Sequence, residues 1–414
     1  MRATTLLRTI FAIYNLFVAG FCFQEDGIVV DVRPLWQVPR CSTCGIKCRS
    51  VHDQRERRWR HHDICGWKTF LRYSIRRVKC SRCRKVTTEA VPWAVLDSGF
   101  TRAFEERCAF YAQHANRSVV SESLRVAWTT VGRIVDRVVK RWLGPLESRL
   151  DGLRHIGIDE LSDRKHHEYI TTVVDHVSGV VVWTGKGKSA ATLREFFKAL
   201  GPERAAKLQS VTIDMSGAFI AAIEECAPNA RLIFDRFHVQ RLVQYAPDGT
   251  RRDEMRVAET KDERAALKGT RFPLQKSPWN LTDADHQTLD ELRETNAPLY
   301  TAYLLKEMFA GILDRRQVNA AGGLIVKWIA DARESGLQHF VRAAKTIEGH
   351  LDGILEYVRT RLTNAMNEGL NGKIRTITRR AYGFHSAHSL MAMIHLCCGG
   401  VHVTPAFSRP PTRP

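Results

Sequence analysis

RHIGIDELSD, residues 154–163, is a short apolar run that reaches an acid, Asp159, just after a charged helical region. SVTIDMSGAF has the same shape and sets Asp214 after Val211 and Ile213. Around these two runs the hydrophobic period is that of strands and helices in turn. HIGID, EYITTVVDHVSG and VVVWTG read as three consecutive strands, the last two joined at Ser178-Gly179. ATLREFFKALG then reads as a helix, SVTID as a strand, AFIAAIEECA as a helix and ARLIFDRFHV as a further strand. The loop GKGKS has the look of a phosphate loop, but Val182 stands where its first glycine is required, which excludes it.

Three antiparallel strands, a helix, a strand, a helix and a strand is the order of a ribonuclease H-like fold. The fourth strand lies beside the first in that topology, so Asp159 and Asp214 are expected as neighbours at strand ends. Period-2 alternation sends Glu160 to the opposite face. A third acid, Glu368, sits far downstream in RLTNAMNEGLNGKIR, where a helix packed across the sheet would deliver it, with Asn364 and Gly372 on the same helical face. Oxygen ligands of this kind suit a hard cation, Mg²⁺ or Mn²⁺, and two such ions roughly 3.5–4 Å apart stabilise both oxygens of an in-line displacement at phosphorus. Asp235 in FDRFHVQR is a fourth contender, with His238 one helical turn on. It reads as an auxiliary ligand, with His238 orienting a nucleophile, or more plainly as a helix cap with a histidine packed beside it. His166, His167 and Glu168 have metal-type side chains but read as surface.

The chain has 414 residues, enough for several domains, and its 44% hydrophobic content excludes a disordered protein. Lys and Arg number 63 against 44 Asp and Glu, a net charge of +19 that calls for a polyanionic partner such as nucleic acid. Lys373, Arg375, Arg379 and Arg380 follow Glu368 and suit the DNA backbone, or simply form a solvated basic face.

Upstream, Cys41-Ser-Thr-Cys44 and Cys80-Ser-Arg-Cys83 look like two zinc knuckles in a β-rich unit, brought together by a hairpin to give tetrahedral Zn²⁺ four thiolates. Cys48 reads as a partly exposed thiol, Cys65 as a small hydrophobe, and His61 and His62 as surface residues. RERRWRHHD, with Trp59 among arginines, suits phosphate contact or a solvated face. SESLRVAWTTVGRIVDRVVKRW carries a helical stripe of Val131, Ile134, Val135, Val138 and Val139, and sets Thr129, Thr130, Arg133 and Arg137 on the outside, the helix-turn-helix pattern. Clustered cysteines fit a reducing compartment. The start, Arg2 and Arg8 followed by TIFAIYNLFVAGFCF, resembles a signal peptide but flows into strand-like GIVVDVRP, so it predicts an amphipathic helix on the first domain of a cytoplasmic protein.

These motifs together resemble the transposases of the ISL-three group of bacterial insertion sequences. CSTCG with CSRCRK, the helix-turn-helix near 118–140, IGIDELSDRKHHEYITTVVD, SVTIDMSGAF, PNARLIFDRFHVQRLV and RLTNAMNEGLNGKIRTITRRAYGF carry the resemblance, from residue 26 to about 395. It implies a zinc-binding N-terminal domain, a helix-turn-helix that reads terminal inverted repeats, and an Asp-Asp-Glu core whose triad falls on Asp159, Asp214 and Glu368. It also implies a helical insertion before the last acid. The expected fold is thus multidomain α/β: 1–95, N-terminal helix and zinc domain; 96–145, helix-turn-helix; 153–240, first part of the ribonuclease H-like core; 241–358, helical insertion; 359–396, last core helices; 397–414, disordered tail. The expected partners are double-stranded DNA, as element ends and target, and a second copy in a homodimer or higher oligomer, without a membrane. A nuclease lacking strand transfer and a non-catalytic DNA-binding regulator are the rival readings.

Overall fold

The computed structural model describes residues 3–11, 13–162, 169–381 and 384–403. The chain forms two compact units, one of Met1–Gly144 with Ala392–Pro414 and one of Pro145–Met391.

The first unit begins with α1 (Ala3–Phe11), but the apolar start is not one helix. Asn15 turns the chain in the left-handed region (φ 62°), and Leu16–Gln24 becomes strand β1. Aromatic and β-branched residues favour a pleated surface over a helix. β1 pairs antiparallel along its whole length with β2 (Gly27–Pro34), burying Leu16 and Val18. Strands β3 (Val51–Ile64) and β4 (Trp67–Cys80) form a long hairpin, and β5 (Lys85–Thr88) pairs with the end of β4. The sheet order is β1-β2-β4-β3. Cys65 and Gly66 make the hairpin turn, both with positive φ (48° and 82°), the pairing that suits the twist of a two-residue turn.

In and around β3 the structure differs from the sequence expectation at Trp59, His61, His62, Cys48 and Cys65. Trp59 is fully buried, edge-to-face on Trp93 at 5.6 Å, and so does not meet phosphate. His61 is buried with Nδ1 2.8 Å from the Thr101 hydroxyl, and His62 is half-buried under Phe104. Cys48 is buried beside the other cysteines, whereas Cys65 is exposed at the turn. The charge of RERRWRHHD hides a strand whose later residues turn into the core.

Helices α2 (Arg102–His114), α3 (Arg117–Leu124) and α4 (Trp128–Leu143) pack together. Thr101 and Asn116 cap the first two, each accepting a backbone N–H. The expected stripe is buried: Val131, Ile134, Val135, Val138 and Val139 all face inward. Arg125 ends α3 in the left-handed conformation (φ 52°) and pairs with Asp63, so the turn before α4 is fastened to the β3–β4 hairpin. Residues 397–403 were expected as tail, yet Val401 and Val403 are buried, and Gln113 donates to the Leu396 and Val401 carbonyls at 2.8 and 3.2 Å. Residues 404–414 lie outside the described residues.

The second unit starts with α5 (Leu146–Leu150), and Leu150 is buried in this unit's core. Its sheet contains β6 (His155–Ser162), β7 (Tyr169–Asp175), β8 (Val180–Lys186), β9 (Ser210–Ile213) and β10 (Arg231–Phe234). The order is β10-β9-β6-β7-β8; β6, β7 and β8 are antiparallel, and β6, β9 and β10 run parallel. Helices α6 (Ala190–Leu200), the short α7 (Pro202–Ala205) and α8 (Gly217–Cys226) make the crossovers. The strand over ARLIFDRFHV is shorter than expected: it ends at Phe234, and α9 (Arg236–Gln244) follows at once.

From α10 (Ala246–Val257) the described chain is helical: α11 (Lys261–Gly269), α12 (Arg271–Gln275), α13 (Asp283–Thr295), α14 (Ala297–Leu313), α15 (Val318–Glu334), α16 (Gln338–Gly349) and α17 (Leu351–Thr360). Phe309, Trp328, Phe340, Ile354 and Tyr357 from these helices share one hydrophobic core with the sheet, while Leu274, Leu289, Leu292, Leu299 and Tyr303 form a smaller one. Helix α18 (Ala365–Arg380) returns to the sheet, and α19 (Ala387–Cys398) follows. Among the described residues no helix is long and apolar enough to cross a membrane.

Candidate active site and zinc centre

Strands β6, β9 and β10 are parallel neighbours, and their registers align three acids. Gly157 pairs with Thr212 and Thr212 with Ile233. Two residues further along each strand stand Asp159, Asp214 and Asp235, side by side at the carboxyl ends, where open α/β sheets expose functional groups. Asp159 does not end its strand as expected: β6 runs on to Ser162 against β7. Only its pairing with β9 stops at Gly157, which frees that side of Asp159. The Asp235 N–H continues the ladder to the Ile213 carbonyl at 3.0 Å.

Helix α18 supplies the fourth acid from across the sheet. Glu368 lies in its first turn. It is exposed, as is Gly372, whereas Asn364 is buried at the helix start, so these three do not share one environment as the helical spacing suggested. The helix meets the sheet instead through Asn364, Asn367 and Asn371, all buried. Asn371 Nδ2 donates to Asp159 Oδ2 at 2.5 Å, and the Glu160 N–H donates to Asp159 Oδ1 at 2.7 Å. Asn364 donates its N–H to Asp235 Oδ1 at 2.9 Å and its amide to the Ile158 carbonyl at 3.3 Å, and accepts the Thr212 hydroxyl at 2.5 Å. His176 Nε2 in turn lies 2.6 Å from that hydroxyl. Gly157 makes the close approach possible: a Cβ there would stand 2.7 Å from the Asn367 amide nitrogen and 2.9 Å from Asn364 Oδ1. The sequence carries the signal for this contact as asparagines at helical spacing (364, 367, 371) and a glycine inside a strand.

The acids share one electrostatic environment. Burial pushes the Asp159 carboxyl above its ordinary value, and the charge of Asp214 adds to this. Partial desolvation on its cluster-facing side raises Glu368 as well, helped by Asp235 and Asp159. Glu160 is raised too, by burial and then by Asp214, so alternation does not remove it from the field of these acids. His238 faces the cluster and favours the charged form of Asp159, Glu160 and Glu368. Asp235 is 1% exposed and its Oδ2 has no hydrogen-bond partner. It begins α9 without a side-chain cap bond, which removes the plain capping reading. Such a carboxylate oxygen is costly unless a cation or proton meets it, and a hard divalent ion fits this all-oxygen set. His166, His167 and Glu168 lie outside the described residues.

In the first unit the four expected thiols converge. The sulfurs of Cys41, Cys44, Cys80 and Cys83 all lie within 4.8 Å of one another, with Cys41–Cys83 at 3.9 Å and Cys44–Cys80 at 3.5 Å. Tetrahedral zinc with Zn–S near 2.3 Å puts its sulfurs about 3.8 Å apart, so the cluster fits Zn²⁺. The Cys83 N–H pulls the Cys80 thiol down to about 6, while hydrogen bonding with Cys44 pushes Cys83 up to about 12. Four thiols this close do not all ionise without a cation between them. Among the described residues this is the one such cluster of three or more metal-type side chains.

The chain matches a family model described as transposase over residues 156–394, one described as zinc-finger of transposase IS204/IS1001/IS1096/IS1165 over 37–83, and one described as helix-turn-helix domain of transposase family ISL3 over 89–139. The chain belongs to the ISL3 transposase family. A similar protein is the transposase for insertion sequence element IS1557 of Mycobacterium tuberculosis, 35% identical over 97% of this chain and 96% of its own. Another is the transposase for insertion sequence element IS1001 of Bordetella parapertussis, 30% identical over 86% of this chain and 87% of its own. The protein is therefore a DNA transposase, with a zinc ribbon and a helix-turn-helix ahead of its transposase domain.

Within this transposase the expected DNA-contact residues differ. Thr129 and Arg133 on α4 are exposed and Thr130 is half-buried. Arg137 is committed elsewhere: with Arg141 it pairs with the fully buried Glu105, at 2.7 and 2.9 Å. Lys373, Arg375 and Arg379 are exposed along α18 beyond Glu368, and Arg380 is half-buried.

Proposed function

We propose that residues 153–240 and 359–396 form a ribonuclease H-like core, interrupted over 241–358 by a helical insertion, which cuts and rejoins DNA at Asp159, Asp214 and Glu368. The alignment of Asp159, Asp214 and Asp235 on three parallel strand ends, faced by Glu368 from α18, carries this reading. Further support is the sheet order, with three antiparallel strands flanked by two parallel ones.

Mg²⁺ or Mn²⁺, when bound, would stabilise the attacking and leaving oxygens of the displacement. Asp159 and Asp214 would hold one ion between them and Glu368 the second. The partnerless oxygen of Asp235 supports that residue as an auxiliary ligand. His238 stands where it can orient the nucleophile. In the first step water attacks the phosphorus at an element end, and the 3′ oxygen leaves and takes up a proton. In the second that 3′-hydroxyl loses its proton and attacks a target phosphodiester, whose own 3′ oxygen departs.

Residues 96–145 would read the terminal inverted repeats through Thr129, Thr130 and Arg133, steadied by the zinc domain of residues 1–95. Lys373, Arg375, Arg379 and Arg380 would hold phosphates near the reacting strand. Bringing two ends together calls for at least a dimer, working in the cytoplasm at the nucleoid. Strand transfer distinguishes this from a simple nuclease. With pre-cleaved ends, target DNA and Mg²⁺, joined products are expected; target nicking without joining would favour the nuclease. End binding with no metal-dependent chemistry would favour the regulator.

A further inference from the structure

Helix α18 contacts the strand ends through asparagines, an unusual choice for a buried helix face, since a buried amide must find its partners. Asn367 donates to Asn364, while the partners of Asn364 and Asn371 include two of the acids and the strand backbone beside them. Asn371 grips Asp159 Oδ2 while the Glu160 N–H holds Oδ1, so both oxygens of one carboxylate are fixed by a donor. Asn364 donates its N–H to Asp235 and its amide to the carbonyl of Ile158, the residue before Asp159, and accepts from Thr212, two residues before Asp214. Glu368 rides on the same helix, between these two anchors.

Resting on the metal-site reading above, we infer that Asn364 and Asn371 are positioning residues which set the coordination geometry of Asp159 and lock it to the placement of Glu368. A single carboxylate oxygen has room for a hydrogen bond and a metal bond at once. With one donor on each oxygen of Asp159, the carboxylate cannot rotate, and its remaining lone pairs present in fixed directions. Hydrogen bonds to a ligating carboxylate tune metal affinity in this manner, and their loss typically costs about 10–100-fold. The same helix thus carries one acid of the site and the clamp upon another.

The test uses the full zinc-loaded chain and Mn²⁺ as probe, followed by electron paramagnetic resonance titration. Asn371→Ala and the near-isosteric Asn371→Leu are compared with Asp159→Asn and wild type. Both Asn371 variants are expected to bind Mn²⁺ at least tenfold more weakly, with element-end binding unchanged. Their strand cleavage should fall at low Mn²⁺ and recover to within a few-fold at saturating Mn²⁺. A merely structural asparagine would lower the rate at every metal concentration. Folded Asn371 variants with Mn²⁺ affinity within twofold of wild type would overturn the clamp, provided Asp159→Asn weakens binding. If Asp159→Asn binds Mn²⁺ as wild type does, the metal-site reading fails first and the clamp with it.

Discussion

Gly157→Ala probes the seating of α18 without touching an acid. The added methyl would lie 2.7 Å from Asn367 Nδ2 and 2.9 Å from Asn364 Oδ1 and Asn367 Oδ1. Neither side chain is a flexible end that can swing away: both are 1% exposed, and Asn364 is tied to Thr212, Ile158 and Asp235. Overpacking of this kind costs about 1–3 kcal/mol, and stretching the Thr212–Asn364 bond about 1 kcal/mol more. Replacing a strand glycine returns roughly 0.5–1 kcal/mol through the unfolded chain. The net loss is about 1–3 kcal/mol, which lowers the Tm of a unit this size by roughly 2–4 °C per kcal/mol. The larger effect should be on chemistry, since a displacement near 1 Å costs about 100-fold in rate. Calorimetry and a cleavage assay on labelled element ends measure both. Gly323→Ala on α15 is the control, because its Cβ meets nothing within 4 Å; it should stabilise by up to about 1 kcal/mol. Wild-type melting and cleavage in Gly157→Ala would refute the close docking of α18.

Other predictions concern the first unit. Cys80→Ser removes one of four converging sulfurs, and zinc content by mass spectrometry should fall from about one per chain towards none; full retention would sink the zinc assignment. Glu105→Ala strands Arg137, Arg141 and the Ser98 hydroxyl around a buried gap, costing about 3–5 kcal/mol in urea unfolding, with a smaller loss for Glu105→Gln. Burial pulls His62 down to about 3, with Arg107 and Arg60 adding, and pulls His61 well down too. The unfolded chain therefore binds protons that the folded one refuses. Stability is full above about pH 6.5 and falls below it by up to about 1.4 kcal/mol per pH unit for each histidine. Chemical unfolding between pH 7 and 5 should show this slope, and His62→Gln should flatten it.

The core was legible where periodicity and topology agree. The short apolar runs around HIGID and TTVVD mark strands buried along most of their length, and the β-branched stripe of α4 fixes which of its side chains go inward. Asp214 and Asp159 followed because a parallel pair puts equivalent positions side by side. What was hidden depended on pairings that a single strand does not reveal. Leu16–Gln24 is strand only because β2 returns along it. Trp59 and His61 turn inward because a long hairpin folds under α2, which no local charge count reports. Asp235 lost its reading as a cap because its partners come from Asn364, far along the chain. Arg137 sits on the outer face by helical spacing, yet Glu105 on α2 draws it in. The asparagine face of α18 was visible as spacing, but its meaning required the sheet beneath it.

Asp159→Asn, tested on DNA carrying the element's ends with Mg²⁺, bears most directly on the metal-dependent site. The substitution keeps size and the Glu160 N–H contact while removing one charge from the cluster. End binding should stay within about threefold of wild type, and cleavage and joining should fall at least about a thousandfold, equivalent to roughly 4 kcal/mol of transition-state stabilisation. Cleavage at near wild-type rate in that variant would contradict the site.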